Sequence, residues 1–169
     1  MSSRSRSLAG TVCGLLLLGS AGLVLADEPG IVLTVGVQKE VSVPGENGEV
    51  RVVRREVGAA DPGDVLVYTL TYKNTSSAPV RDAVVNDPVP QGTTLLPGSI
   101  VAGNADVTVS VDGGRSFVPF PATLQVAGMG GSPVTKPAPA DAYTHIRWTA
   151  RGSMAPGETR TASFKVVVK

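Results

Sequence analysis

Short runs of alternating apolar and polar residues, separated by clusters of Pro, Gly, Asn and Asp, make up the chain from residue 31 onward. Successive side chains of a β-strand point to opposite faces, so this alternation predicts strands with one buried and one exposed side. No window shows the sustained apolar repeat of an amphipathic helix. The pattern therefore predicts an all-β fold, an immunoglobulin-like antiparallel β-sandwich of about seven to nine strands.

The core of this sandwich is predicted from the three most regular strands. A turn at residues 61–64 (Asp-Pro-Gly-Asp) starts a strand over 65–72, in which alternate side chains face the core and the tyrosine hydroxyls reach its rim. A second strand covers 143–150 and buries the single Trp, and a third covers 161–169. The predicted structural residues of these strands are Tyr68, Leu70, Tyr72, Ile146, Trp148 and Phe164.

A first hairpin is predicted near the start of the domain. The dipeptide Asn47-Gly48 suits a type I′ turn, because both of its central residues need a positive φ. It predicts a hairpin over residues 40–57, preceded by a separate strand at 31–37. By contrast, residues 121–142 are rich in Pro, Gly and Ala and are interpreted as a long loop with one short strand at 123–126.

A second hairpin is predicted to join strands at 106–111 and 116–120. Its turn contains Asp112, Gly113 and Gly114 within the sequence SVDGGRSF, which also fits the Asp-box of sialidase-type propellers. In that motif the Asp side chain binds local backbone N–H groups, and the glycines permit the tight turn. A propeller requires several copies and this chain has one, so we interpret the motif as a structural turn.

The first twenty-six residues have the layout of a secretory signal peptide. Arg4 and Arg6 precede an apolar stretch at 8–25, which ends in a Val-Leu-Ala exit with cleavage expected after Ala26. The alternative is a retained signal anchor, because the apolar stretch is almost long enough to span a bilayer. Cleavage would remove Cys13, the only cysteine. The mature protein is then exported to the periplasm, the cell surface or the extracellular space, with no later transmembrane segment expected.

One domain is expected after the signal, with residues 27–60 forming its N-terminal strands and hairpin and residues 61–169 its core. The chain has 15 Lys and Arg against 14 Asp and Glu, so no charge excess favours binding to nucleic acid. One Cys and one His exclude disulfide frameworks and paired Cys or His metal sites. No Ser lies in a nucleophile motif. We therefore expect neither an enzyme nor a cofactor.

Two sequence blocks carry a family resemblance. PGDVLVYTLTYKN at 62–74, followed by VVNDPVPQGTTLLPGSI at 84–100, resembles the bacterial surface-protein repeat known as domain of unknown function 11. The segments at 110–117, 143–148 and 154–166 are similar to its small exported single-copy members. The resemblance implies an immunoglobulin-like sandwich in or outside the cell envelope, without established catalytic residues. Unlike the long members, this chain has one unit and no repeat array or sorting signal.

The expected function is a structural or protein-interaction role in the bacterial cell envelope. Contact with an unknown envelope protein or glycan is expected through the loop at 127–142, or through the sheet edge near the 40–57 hairpin, where a partner could add a strand. The alternative is a carbohydrate- or calcium-binding adhesion module. Its weak calcium candidates are the side-chain oxygens of Asp82, Asp87 and Asp106, although such residues are also ordinary in turns.

Overall fold

The computed structural model describes residues 30–128, 130 and 132–169. The predicted signal peptide at 1–26 lies outside this range. The described residues form thirteen β-strands. These are β1 (Ile31–Pro44), β2 (Val50–Glu56), β3 (Val65–Asn74), β4 (Val80–Arg81), β5 (Val84–Pro88), β6 (Thr93–Val101), β7 (Ala105–Ser110), β8 (Val118–Pro119), β9 (Thr123–Ala127), β10 (Pro133–Pro137), β11 (His145–Ala150), β12 (Ser153–Met154) and β13 (Thr159–Val168). Short 3₁₀ turns lie at Glu46–Gly48 and Ala140–Ala142.

Two sheets stack to form the domain. One has five strands in the order β2-β1-β3-β13-β6, and the other has four in the order β5-β11-β7-β8. Two-stranded ribbons, β9 with β10 and β4 with β12, complete the fold, and every pairing is antiparallel. This is the predicted all-β, immunoglobulin-like sandwich. It has more strands than expected because several are two-residue bridges and because one predicted strand is divided.

The core lies between the two sheets and is centred on aromatic side chains. Trp148 on β11 and Phe164 on β13 are fully buried with ring centres 6.0 Å apart, and this contact joins the sheets. Tyr68 stacks on Phe164 from the same sheet at 5.1 Å. Leu70 and Ile146 are also fully buried. Large apolar side chains thus meet across the layers, as the alternation predicts.

Tyr72 departs from the expectation that its hydroxyl reaches the rim. Its side chain is fully buried, and its hydroxyl has no hydrogen-bond partner in the described part of the chain. Burial raises the pKa of this phenol above its usual value. Alternation places Tyr72 on the correct face, but it does not reveal how far the neighbouring turns extend over the end of that face.

The first strand is longer than predicted. Residues 31–37 and 40–43 belong to one continuous strand, because β1 pairs with β3 along its first part and with β2 along its last part. The hairpin predicted over residues 40–57 is present. Asn47 and Gly48 have φ values of 67° and 80°, the left-handed conformation that their turn requires.

Two other segments differ from their predictions. The strand expected at 80–86 is divided, because Asp82 adopts a φ of 51° and separates β4 from β5. The segment 121–142 contains the short strand expected at 123–126, which is β9, but this strand pairs with a second strand that was not expected, β10. β10 contains two prolines and a lysine, a composition that hides a strand from propensity-based prediction.

Candidate interaction surfaces

An open strand edge lies in the first half of β1. Residues 31–37 pair with β3 on one side, whereas β2 pairs only with residues 38–44 on the other. In the described part of the chain no strand covers the remaining edge. Val32, Leu33 and Val35 are 42–43% exposed there, which is unusual for large apolar side chains on one short segment.

The hydrogen-bond phase of β1 shows which backbone groups this edge presents. The amide of Gly45 donates to the carbonyl oxygen of Glu49, in register with the β1–β2 ladder. The backbone N–H and C=O groups of odd-numbered residues of β1 therefore face the β2 side. The amide of Thr75 donates to the carbonyl oxygen of Gly30, so the backbone groups of even-numbered residues face β3. The N–H and C=O groups of Ile31, Leu33 and Val35 therefore face the open edge.

The neighbouring strand β2 is protected in a way that the open part of β1 is not. β2 carries Arg51, Arg54, Arg55 and Glu56, and charged side chains on an edge strand discourage pairing with another chain. Residues 31–37 contain no charged residue and no proline. The contrast makes this segment of β1 the best template for an added strand in the described structure.

A second candidate surface, which is polar, lies on the outer face of the four-stranded sheet. The guanidinium carbon of Arg147 lies 3.5 Å from the ring centre of Phe117, and Arg147 Nε donates to Asn86 Oδ1 at 2.7 Å. The ring of His145 meets that of Phe117 edge-on, with centres 6.5 Å apart. We call Asn86, Phe117, His145 and Arg147 the outer-face cluster.

The turn between β7 and β8 supports this cluster. Asp112 Oδ1 accepts hydrogen bonds from the amides of Arg115 and Ser116 and from Ser110 Oγ, and Oδ2 accepts one from Ser116 Oγ. These bonds, led by those from Ser116, hold the pKa of the Asp112 carboxyl well below its usual value. Asp112 thus forms the self-bonded turn that its motif predicts.

Both glycines of this turn have φ values near 80° and connect it to β11. The amide of Gly113 donates to Thr144 Oγ1 at 3.1 Å. A side chain at Gly114 would come within about 3.2 Å of the His145 ring, so the turn backbone packs directly against that ring. The turn therefore fixes the side of the cluster formed by His145 and Phe117.

The three calcium candidates do not come together. Asp82 lies between β4 and β5, and Asp106 is paired with Arg151 at 2.6 Å. Asp87 is half-buried, which raises the pKa of its carboxyl, and its Oδ2 has no hydrogen-bond partner among the described residues. Within the described ranges no three His, Cys, Asp or Glu side chains are grouped as metal ligands.

A shallow cavity of about 490 Å³ opens at one end of the sandwich. It lies between the segment 88–93 and the residues Tyr143, Thr144 and His145. The other predicted contact region, at 127–142, includes the strand β10 and the 3₁₀ turn Ala140–Ala142, and Val134 on β10 is 43% exposed. None of the helices in the described ranges is long and apolar enough to cross a bilayer.

Comparisons of the chain with protein-family models, with curated proteins and with solved structures gave no match. The open edge and the outer-face cluster thus rest on geometry alone. The sequence predicted a contact edge near the 40–57 hairpin, but it did not indicate that the open edge lies at residues 31–37. That position depends on where β2 stops pairing with β1 while β3 continues, which is a tertiary property. The sequence-based prediction also missed Phe117, whose alternation signal is interrupted by the glycine turn.

Proposed function

We propose that this protein is an exported, non-catalytic β-sandwich domain that binds another protein of the bacterial cell envelope by strand addition at β1. The observation that carries the proposal is the open edge at Leu33 and Val35, where backbone groups that face outward are combined with exposed apolar side chains. Strand addition uses the backbone groups for affinity and the side chains for specificity.

Export and an envelope location are part of the same proposal. They are supported by the signal-like sequence at 1–26 and by the resemblance to domain of unknown function 11. The absence of cysteine after Ala26 fits a domain held together by packing alone. In the described structure that packing is supplied by a core of fully buried aromatic and aliphatic side chains.

Co-purification of the tagged full chain from its own cells tests the binding site. The matched variants are Val35→Lys and Val134→Lys, because the two valines have the same 43% exposure and lie in the two predicted contact regions. We expect Val35→Lys to reduce recovery of the partner at least tenfold, since a lysine on an edge strand opposes pairing. Val134→Lys should leave recovery within about twofold.

Hydrogen exchange on the purified complex then checks the mechanism. The amides of Leu33 and Val35 should exchange more slowly when the partner is bound, because they gain hydrogen bonds. The amide of Thr34 already faces β3 and should change little. Equal losses from both lysine variants, or unchanged exchange at Leu33 and Val35, would contradict binding by strand addition.

A further inference from the structure

Arg147 is a surface arginine whose guanidinium plane is fixed from two sides. Its face lies on the ring of Phe117 at 3.5 Å, and its Nε donates to Asn86 Oδ1 at 2.7 Å. Asn86 is directly opposite Arg147 in the β5–β11 ladder, so the amide stands on the same face of the sheet. An arginine held in this way loses little side-chain entropy when it binds a ligand.

The terminal nitrogens of this guanidinium are unused. Among the described residues, Arg147 takes part in none of the ion pairs, and its Nη atoms have no hydrogen-bond partner. Nearby carboxylates are engaged elsewhere: Asp106 pairs with Arg151, and Asp112 binds its own turn. The positive charge therefore remains available on the outer face of the sheet.

Beside the ring of Phe117, Arg147 has uncharged polar neighbours on the adjoining strands. Thr108 is opposite Arg147 in the β7–β11 ladder, and Thr149 follows two residues later on the same face. Both are half-buried and stand on a sheet surface rather than in a cleft. Together with Asn86 they offer hydroxyl and amide groups that can exchange hydrogen bonds with the hydroxyl groups of a sugar.

We propose that the outer-face cluster binds the carboxylate of an acidic polysaccharide, with Arg147 as its anchor. The free edge of a guanidinium carries two parallel N–H groups, which match the two oxygens of a planar carboxylate. Thr108, Thr149 and Asn86 receive the adjoining hydroxyl groups of the uronic acid residue. The site is on the opposite sheet from β1, so it acts independently of strand addition.

Calorimetric titration of the purified protein with tetragalacturonate tests this site. Maltotetraose is the neutral control, and tetraglutamate tests whether a peptide carboxylate serves equally well. The matched variants are Arg147→Lys and Arg115→Lys, because both preserve charge and Arg115 is an exposed residue of the neighbouring turn. Phe117→Leu removes the stacking surface and provides a second variant, and thermal melting shows that each variant is folded.

We expect binding of tetragalacturonate and none of maltotetraose. Arg147→Lys should weaken the affinity about tenfold, because lysine lacks the planar fork and the ring contact. Phe117→Leu should weaken it in the same direction, and Arg115→Lys should change it less than about twofold. Absence of binding, equal losses from the two lysine variants, or equally tight binding of tetraglutamate would overturn the proposal.

Discussion

The side-chain amide of Asn74 donates a hydrogen bond to the main-chain carbonyl oxygen of Met154, which lies 80 positions later, at a distance of 2.9 Å. The same amide donates to the carbonyl oxygen of Ala78, and Asn74 Oδ1 accepts from Ser76. Asn74 is fully buried, and all of its polar side-chain atoms are satisfied. One residue thus joins the end of β3 to the strand β12.

Replacing Asn74 by Ala is expected to lower the free energy of unfolding by about 2–3 kcal/mol. The substitution removes the donor to the buried carbonyl oxygen of Met154 and the acceptor of the Ser76 amide, and an unsatisfied buried polar group costs about 1–3 kcal/mol. The carbonyl oxygen of Ala78 keeps Ser76 Oγ as a donor. Urea denaturation measures the loss. Asn104→Ala, at an exposed position, is the control and should stay within about 0.5 kcal/mol of the parent. A similar loss for both variants would contradict the role of Asn74 as a link.

Replacing Phe164 by Ala should destabilise the protein by about 3–5 kcal/mol, the usual cost of truncating a buried Phe. The ring contacts both Trp148 and Tyr68, so its loss opens the centre of the core. The fluorescence of Trp148, the single Trp, should report the change in its surroundings. Leu33→Ala removes a partly exposed side chain and should cost less than about 1 kcal/mol.

Gly103→Ala should be more damaging than Gly152→Ala, although both glycines have a φ of 60–67°. A Cβ at residue 103 would clash with the main-chain oxygen of Thr161, whereas a Cβ at residue 152 meets nothing within 4 Å. We expect a loss of about 1–2 kcal/mol for Gly152→Ala from the left-handed conformation alone. Gly103→Ala should lose about 1–3 kcal/mol more from the clash. Equal melting temperatures of the two variants would contradict this, because they would mean that the backbone at Thr161 shifts away from the new Cβ without loss of stability.

The carboxyl of Asp112 should make stability fall at acid pH. Its hydrogen bonds place its folded-state pKa below the usual value of 3.8, so the native state favours the ionised form. The stability that comes from the hydrogen bonds to the ionised carboxyl is fully present above pH 3.8 and is lost as the pH falls through the folded-state pKa. Asp112→Asn should therefore be less stable than the parent at pH 7, with a difference that narrows below pH 3.8. Denaturation of the parent, this variant and the exposed-site variant Asp141→Asn at several pH values tests the trend, which a constant difference would contradict.

Asp87 should have the opposite effect. Burial raises the pKa of its carboxyl above 3.8, and the opposing field of His145 is weaker than this desolvation. The unfolded chain ionises first as the pH rises, so the cost of burying Asp87 appears above pH 3.8 and grows up to the folded-state pKa. Asp87→Asn should therefore be more stable than the parent at pH 7 and equal to it at pH 3. A variant less stable than the parent at pH 7 would show that Asp87 has a favourable partner.

Local patterns in the sequence determined much of the sandwich. Alternation along 65–72 and 161–169 predicted which side chains of β3 and β13 face the core, because a strand has only two faces. Asn47-Gly48 and the Asp112 turn were predicted correctly, since each conformation is set by a few adjacent residues. These features depend on neighbours in the chain.

The tertiary structure alone decided where binding can occur. The open edge of β1 exists because β2 ends its pairing at Gln38 while β3 continues to Ile31, which depends on the register of three strands. The outer-face cluster exists because residues 86, 117 and 147 lie on neighbouring strands and one turn. Strand registers and distant contacts depend on the packing of the whole domain, so alternation within one segment cannot specify them.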